Sequence, residues 1–323
     1  MRGIISTLIT AFSIMLGGIA IMIISLSLLG ASFESLTQKE VGELKTDTVS
    51  EPVTSLSVDL GGVNMEIVPS EDGKITVSRY ESEKISYSVF VEDGTLTVLR
   101  TDNRKWYERI KFFNFNSPVL TVRLPAGEYE ELTAKVRSYR LFVAEGIVFS
   151  RASVTATSGA VQYCANVKDT LNLTVTSGGV VLKNVTAGAI TGSVTSGRTE
   201  MENIVCNRMT LSGASGASKL EDVSVSESFS LEKTSGSVTL EDVVCAGEFF
   251  VKCTSGAMNL DNCDGKNMTL ESTSGSIRGT LRSPKTFDVR VSSGSAHVPE
   301  SVADAGLCKI RATSGSVKIS IAE

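Results

Sequence analysis

A Ser-Gly pair recurs nine times in the second half of the chain, almost always 19 or 20 residues apart. Thr precedes the pair in seven copies, and Ala214 and Ser292 replace it in the other two. A fixed short period is typical of stacked architectures, in which each repeat packs against its neighbours. The paired residues are Ser158, Ser177, Ser196, Ser215, Ser235, Ser255, Ser274, Ser293 and Ser314 with Gly159, Gly178, Gly197, Gly216, Gly236, Gly256, Gly275, Gly294 and Gly315.

Apolar and polar residues alternate on both sides of each glycine. Around Gly178 the apolar positions are Leu171, Leu173, Val175, Val180, Leu182 and Val185. A period of two predicts two short strands joined by a glycine turn, and no helical pattern interrupts the region. One repeat cannot bury its apolar side alone, but stacking turns each position into a continuous core. The sequence therefore predicts an all-β parallel β-helix (β-solenoid) with one rung of 19–20 residues per repeat.

The Ser-Gly pairs themselves are best explained as structural turn residues. A tight corner often requires a positive φ, which glycine adopts without strain. The serine column would stack hydroxyl groups that hydrogen-bond to the turn backbone or to one another. A catalytic serine is the alternative interpretation, but nine copies without a neighbouring base do not make a nucleophile.

Composition divides the chain into four segments. Residues 4–33 carry no charge and are long enough to cross a bilayer as a helix, so a transmembrane anchor is predicted over 1–33. A cleaved signal peptide is the alternative, although its apolar core normally spans about 7–15 residues. Residues 34–54 predict a polar stalk, 55–131 an N-terminal β lead-in and cap, and 132–323 the β-helix repeats. Because a short N-terminus precedes a single anchor, we expect the β-helix to lie outside the cytoplasm.

Charge and cysteine content narrow the classes of partner and site. The formal net charge is −5, which leaves no basic footprint for nucleic acid. The six cysteines form neither a disulfide framework nor a C-x-x-C motif. Cys206 and Cys245 share a column but are two rungs apart, about 9–10 Å and too far for a disulfide. A bridge between Cys253 and Cys263 stays open, and most of the thiols are expected to act as small core residues.

Carboxylates form a stripe along one outward edge of the predicted stack, on successive rungs. The stripe consists of Glu202, Glu221, Asp222, Glu241, Asp242 and Asp261. Like charges about 5 Å apart repel one another, and a hard divalent cation such as calcium would relieve the repulsion. The alternative is that Asp and Asn residues make a corner of the backbone while Lys219 neutralises part of the charge. Calcium at this stripe is the one candidate cofactor.

A second outward column carries charges of alternating sign. It runs through Thr155, Thr174, Ser193, Ser212, Glu232, Lys252, Glu271, Arg290 and Arg311. Opposite charges on neighbouring strands predict a ladder of ion pairs that keeps the surface soluble and maintains the register. A ligand groove along the ladder is the alternative. The threonines that precede each Ser-Gly pair would form a regular hydroxyl surface beside it.

The composition gives little support to catalysis. His297 is the single histidine and lies on an outward column beside Pro299, so neither a Ser-His-Asp triad nor a histidine-rich metal site is expected. Two carboxylates of the acidic stripe could serve a polysaccharide-active enzyme, which is the catalytic alternative.

The C-terminal rung ends the predicted stack. In it, Val317, Ile319 and Ile321 fill apolar positions without a following cap. We therefore expect end-to-end self-association through the C-terminal rung.

The Thr-Ser-Gly repeats, the lead-in over Leu56–Ile67 and the apolar N-terminus together resemble a bacterial β-strand-repeat family. Its members are named "putative adhesins" and share a domain of unknown function, and the resemblance covers about residues 55–323. It implies a right-handed parallel β-helix, a bacterial origin and a location in the cell envelope. The family has no established catalytic residues to carry over. Ala214 and Ser292 depart from the Thr-Ser-Gly pattern without affecting the expected fold.

The leading hypothesis is a membrane-anchored, extracytoplasmic, non-catalytic scaffold. Its β-helix would bind an envelope glycan or protein, and its anchor would contact the membrane through residues 4–33. An envelope-stress or signalling component that works with other membrane proteins is the alternative. A polysaccharide-active enzyme is the third reading.

Overall fold

A computed structural model describes residues 14, 15, 17, 18, 42–105 and 118–322. They belong to two compact units, and Glu81–Ser86 lies in the smaller one with residues 101–105. In that unit the Asn103 amide donates to the carbonyl oxygen of Lys84 at 2.9 Å. The larger unit contains Leu44–Tyr80, Tyr87–Arg100 and the residues from Pro118 onward, and it carries all the Ser-Gly repeats.

The described residues form 22 strands. They are β1 (Glu43–Val49), β2 (Ser55–Leu60), β3 (Asn64–Pro69), β4 (Ile75–Glu81), β5 (Ile85–Glu92), β6 (Thr95–Asp102), β7 (Val119–Leu124), β8 (Gly127–Val136), β9 (Leu141–Val143), β10 (Ile147–Ala156), β11 (Val161–Tyr163), β12 (Asn166–Ser177), β13 (Val180–Ser196), β14 (Thr199–Ser215), β15 (Ser218–Ser235), β16 (Val238–Ser255), β17 (Met258–Ser274), β18 (Ile277–Leu281), β19 (Thr286–Ser293), β20 (Ala296–His297), β21 (Leu307–Ser314) and β22 (Val317–Ile321).

Parallel pairing in register confirms a β-solenoid, of about ten turns. Between β15 and β16, for example, Leu220 lies opposite Leu240 and Leu231 opposite Val251. These four side chains are fully buried, because each apolar column becomes a continuous core once the rungs stack. The right-handed winding of the β-helix stays a prediction from the family resemblance.

The strands are longer than the alternation predicts. Each long strand begins after one glycine turn and ends at the next, as β15 does over its 18 residues. The second short strand predicted for one repeat is therefore continuous with the first short strand predicted for the next repeat. A single residue with positive φ, such as Asp222 at +53°, turns the chain at the joint without ending the strand. The strand continues through this turn, although a bulge shifts the register of some ladders, as between Cys206 and Arg208.

At the C-terminal end, the order of rungs in space differs from their order in the sequence. Strand β21 pairs with β17 on one edge and with β19 on the other, and β22 lies between β18 and β20 in the same way. The last repeat is thus inserted between the two repeats that precede it. The last repeat in the sequence is therefore not the terminal rung: β21 and Val317 are paired on both edges, while Ile319 and Ile321 pair with β18 alone. Self-association through this rung stays a prediction.

The N-terminal part shows a similar insertion. Strand β2 pairs with β8 through Leu56 and Leu132, and with β6 through Leu56 and Leu96. Strand β3 likewise lies between β9 and β7. The predicted lead-in and cap therefore supplies rungs of the stack itself, with the earliest rung in the sequence placed between two later ones.

The predicted anchor and stalk are described only in small part. Ile14, Met15, Gly17 and Gly18 are helical, and the rest of residues 1–41 lies outside the described residues. Within the described part of the chain, no helix is long and apolar enough to span a membrane. Residues 43–49, which we expected in the stalk, form strand β1, and Asp47 makes an ion pair with Arg79 at 2.7 Å.

Candidate functional site

The Gly residues of the Ser-Gly pairs stack directly on one another. A Cβ on Gly236 would lie 1.9 Å from the carbonyl oxygen of Gly216, and the other repeat glycines meet the preceding rung in the same way. Eight of the nine have positive φ; Gly159 lacks it but would collide with the Tyr139 carbonyl oxygen. Glycine is thus required by close backbone approach as well as by φ.

The serines that precede these glycines contribute mainly through their backbone. The Ser196 carbonyl oxygen accepts from the Gly178 amide at 2.9 Å, and Ser255 accepts from Gly236 at 3.0 Å. All nine Ser side chains are exposed. The predicted stacking of their hydroxyl groups finds no counterpart among the side-chain hydrogen bonds of the described residues. The column is therefore a structural turn.

The acidic stripe lies on one edge, as the columns predict. Glu202, Glu221, Glu241 and Asp261 stand on successive rungs in register. Lysines neutralise three of them: Lys183 binds Glu202, while the Lys219 ammonium lies 2.8 Å from Glu221 and 3.0 Å from Glu241. These two carboxylates raise the pKa of Lys219 above its usual value through hydrogen bonds and charge.

The neighbouring column makes a corner of the backbone. Its Asn and Asp residues, Asn184, Asn203, Asp222, Asp242 and Asn262, have φ values of 57, 55, 53, 54 and 52°. The Asn203 amide donates to Asn184 Oδ1 at 2.9 Å, and Asp242 accepts from Arg282 at 2.9 Å. Asn and Asp tolerate this left-handed conformation better than other residues with a Cβ.

This geometry favours the corner interpretation of the stripe over the cation site. In the described ranges, no group of three or more His, Cys, Asp or Glu side chains is arranged to hold a metal ion. Asp261 accepts a hydrogen bond from the Thr280 hydroxyl at 2.9 Å, so this carboxylate of the stripe also has a partner without a metal. Calcium binding stays a prediction to which the arrangement of these carboxylates adds no support.

The alternating column has the predicted register but not the predicted ion pairs. Glu232 lies opposite Lys252, and Lys252 opposite Glu271. Within the part of the chain that the structure describes, none of these three charges has an ion-pair partner within 4 Å. Because the last repeat is inserted, Glu271 faces Arg311 and not Arg290. Elsewhere on the surface, pairs such as Arg208–Glu227 at 2.8 Å do form.

Two grooves follow this column, and we refer to them with the column and its threonines as the charged face. One groove has a volume of about 400 Å³ and runs past Glu232, Lys252 and Thr254. The other has about 420 Å³ and runs past Lys252, Glu271 and Arg311. Lys252 lines both. The charged face thus offers hydroxyl groups and charges of both signs along several rungs, and three of these charges have no ion-pair contact among the described residues.

The cysteines are free thiols in the core. Cys253 and Cys263 are not bridged, and five of the six are buried, with Cys164 half-buried. Val225 lies between Cys206 and Cys245 in the ladder, as the column predicts. Burial raises the pKa of Cys206, Cys263 and Cys308 to about 12. Thiols that resist ionisation are poor nucleophiles and metal ligands.

Two buried lysines, Lys233 and Lys285, were not predicted from the sequence. Lys233 is 4% exposed, occupies an inward position and donates to Ser218 Oγ at 2.7 Å. Its ammonium group lies under Gly213, where a Cβ would be 3.1 Å away, and burial lowers its pKa. Lys285 is also 4% exposed and pairs with Asp264 at 2.6 Å. A glycine one rung before a lysine in an apolar column was the signal for Lys233.

A family profile and several solved structures are similar to this chain. The sequence profile of the family described as Toastrack DUF4097 matches residues 53–241 and 207–323. A "putative adhesin" from Parabacteroides distasonis ATCC 8503 is 13% identical, with 87% of this chain and 98% of that chain covered and a TM-score of 0.40. A "putative adhesin" from Parabacteroides merdae ATCC 43184 is 11% identical, with 86% and 97% covered and a TM-score of 0.40.

A third solved structure carries a different name. It is a "putative lipid binding protein" from Parabacteroides distasonis ATCC 8503, 14% identical, with 86% of this chain and 98% of that chain covered and a TM-score of 0.37. Comparison with functionally curated proteins gives no significant match. The family profile spans far more than half of the sequence and confirms the resemblance seen in the repeats. The chain belongs to the Toastrack DUF4097 family, a domain of unknown function.

Proposed function

We propose that the protein is a membrane-anchored, extracytoplasmic scaffold that binds an envelope glycan or protein without catalysis. The charged face is its binding surface. The observation that carries the proposal is that Glu232, Lys252 and Glu271 stand on adjacent rungs without an ion-pair contact within 4 Å among the described residues. Charges that already have partners on the same surface would have to exchange them on binding, whereas these three are available to a ligand.

The shape of the charged face favours an extended ligand. The two grooves share Lys252 and continue along the stacking direction. Thr234, Thr254 and Thr273 add hydroxyl groups at a repeat of about 4.8 Å. A linear polymer with hydroxyl groups and charges of both signs can contact several rungs at once, and such multivalent contact raises affinity without any single strong site.

The binding surface is tested by co-sedimentation of the full chain with insoluble cell-wall polymer. Neutralising the three charges together (Glu232→Gln, Lys252→Gln and Glu271→Gln) should reduce the bound fraction and its dependence on salt. The matched control neutralises Glu202, Lys219 and Glu241 on the acidic edge and should leave binding unchanged. Equal loss in both triple variants, or no binding by the unmodified protein, would refute the proposed surface.

The side of the membrane is tested separately. A tag placed after Glu323 should be removed when intact cells are treated with a protease that cannot cross the membrane, while a cytoplasmic control survives. An extracytoplasmic scaffold requires the β-helix and the tag on the outer side of the membrane. A tag that is protected until the cells are lysed would rule out an extracytoplasmic scaffold.

A further inference from the structure

The rung formed by β19 and β20 is the last of the stack, and its outer edge is open. Strand β19 pairs with β21 on one side, and no other described strand pairs with it. Its inward side chains Phe287, Val289 and Val291 are only half-buried, whereas Cys308 and Ile310 on the adjacent β21 are fully buried. Apolar side chains and unpaired backbone groups therefore meet at this end of the stack.

Backbone directions show which groups of β19 are available. The Thr286 amide donates to Gly306 on the β21 side at 3.0 Å, and the Phe287 amide donates in the other direction to Ser301 Oγ at 2.9 Å. Since alternate residues of a parallel strand point to opposite edges, the amide and carbonyl groups of Val289 point to the open edge. Ser301 covers the start of the edge, and no described strand pairs with its centre.

We propose that this edge binds the same edge of a second copy of the chain. The two β19 strands pair antiparallel about a two-fold axis through Val289. Val289 then lies opposite Val289 of the second copy and exchanges two hydrogen bonds with it. Such an isologous contact closes on itself and gives a dimer and not a filament.

The charges of β19 select this register. With Val289 at the centre, Asp288 lies opposite Arg290 of the second copy, and Arg290 opposite its Asp288. On the inward side Phe287 lies opposite Val291, so the apolar core continues from one stack into the other. A shift of the centre to Asp288 or to Arg290 places like charges opposite each other, which is unfavourable. A centre between two residues places inward side chains opposite outward ones.

The local contacts leave the required atoms accessible. Asp288 is held by Arg311 through Oδ2, and this contact lowers the pKa of its carboxyl group. Its Oδ1 makes a loose ion pair with Arg290 Nε at 3.8 Å, longer than a hydrogen bond. The Arg290 side chain is 77% exposed, so it can turn from this contact to Asp288 of the second copy. The proposed dimer requires neither the charged face nor an envelope ligand.

Charge reversal tests the dimer in the full chain, solubilised in detergent and measured by sedimentation. Asp288→Arg and Arg290→Asp each place like charges opposite each other and should weaken the homodimer roughly tenfold or more. An equimolar mixture of the two variants, and the double variant Asp288→Arg/Arg290→Asp, should both restore it. A monomeric unmodified protein, or a dimer that neither variant weakens, would overturn the proposal.

Cysteine pairing tests the register itself. A chain with Asp288→Cys and a differently tagged chain with Arg290→Cys should form a mixed disulfide on mild oxidation, because directly opposite Cβ atoms are about 4.5–5.5 Å apart. Either variant alone places its cysteines on the diagonal, about 7–8 Å apart, and should crosslink far less. Absence of the mixed disulfide, or equal crosslinking of the single variants, contradicts the Val289-centred register.

Discussion

Replacing a stacked glycine tests the reason for the Ser-Gly column. In Gly236→Ala, the new Cβ would lie 1.9 Å from the Gly216 carbonyl oxygen and 2.8 Å from its carbonyl carbon. Two adjacent rungs must therefore separate locally by more than an ångström, against the hydrogen bonds that hold them. The backbone at Gly236 also has φ of +104°, where alanine is strained.

Backbone strain and overpacking both lower the free energy of unfolding of Gly236→Ala. Backbone strain of this kind costs about 1–3 kcal/mol, and overpacking costs about 1–3 kcal/mol. We therefore expect a loss of about 2–6 kcal/mol, a large fraction of the roughly 5–15 kcal/mol that stabilises a folded domain. At about 2–4 °C per kcal/mol, the midpoint of thermal unfolding should fall by roughly 4–24 °C, as measured by far-ultraviolet circular dichroism.

Two other glycines provide matched controls. Gly73 has φ of +72° with no atom within 4 Å of a new Cβ, so Gly73→Ala isolates the backbone strain. Gly61 does not have positive φ, and its nearest atom would be 3.7 Å away, so Gly61→Ala should be close to neutral. If Gly236→Ala destabilises the protein no more than Gly73→Ala does, close approach between rungs is not what requires glycine.

Three further predictions concern the core and the inserted rung. Burial lowers the pKa of Lys233, so the unfolded state binds more protons between that lowered value and about 10.4, and stability from this group rises with pH. The free energy of unfolding of the unmodified protein, measured in urea, should therefore rise relative to that of Lys233→Met from pH 8 to 10.5; a difference that stays constant over this range refutes the prediction. At pH 8, an aromatic disulfide reagent should react in the folded protein with Cys164 at most, and with all six thiols in urea, because burial raises their pKa values; rapid reaction of several thiols before unfolding contradicts this. A chain that stops before Leu307 leaves β19 without its only described partner strand, so limited proteolysis should cleave within 286–297; protection equal to that of the full chain would count against the inserted order.

Much of the fold could be predicted because the pattern is local and repeated. The alternation around each glycine is enough to predict in-register parallel strands, and the columns correctly placed Glu202, Glu221 and Glu241 on one edge. The order of the end rungs could not be predicted in the same way. Every repeat presents equivalent edges, so nothing in the Gly294 and Gly315 repeats indicates which of them pairs with β17.

In the candidate site, the positions of the charged residues could be predicted, but their contacts could not. Register is encoded by spacing, so the positions of Glu232, Lys252 and Glu271 were predicted. Whether neighbouring charges actually pair depends on side-chain rotamers and on groups two residues away, as Lys219 shows by bridging Glu221 and Glu241. Lys233 was missed because an inward lysine becomes acceptable only through the space that Gly213 leaves in the preceding rung.

The inserted rung has a mechanical consequence. Tension applied at Ile321 first loads the end of β22, which pairs with β18 alone, and then reaches a segment held along both edges, since β21 and the first two residues of β22 pair with a strand on either side. An outermost strand would peel away one hydrogen bond at a time, but this segment can leave only by sliding between two strands. The load is then shared in shear by two ladders at once, so this end of the solenoid should resist pulling more strongly than an open rung would.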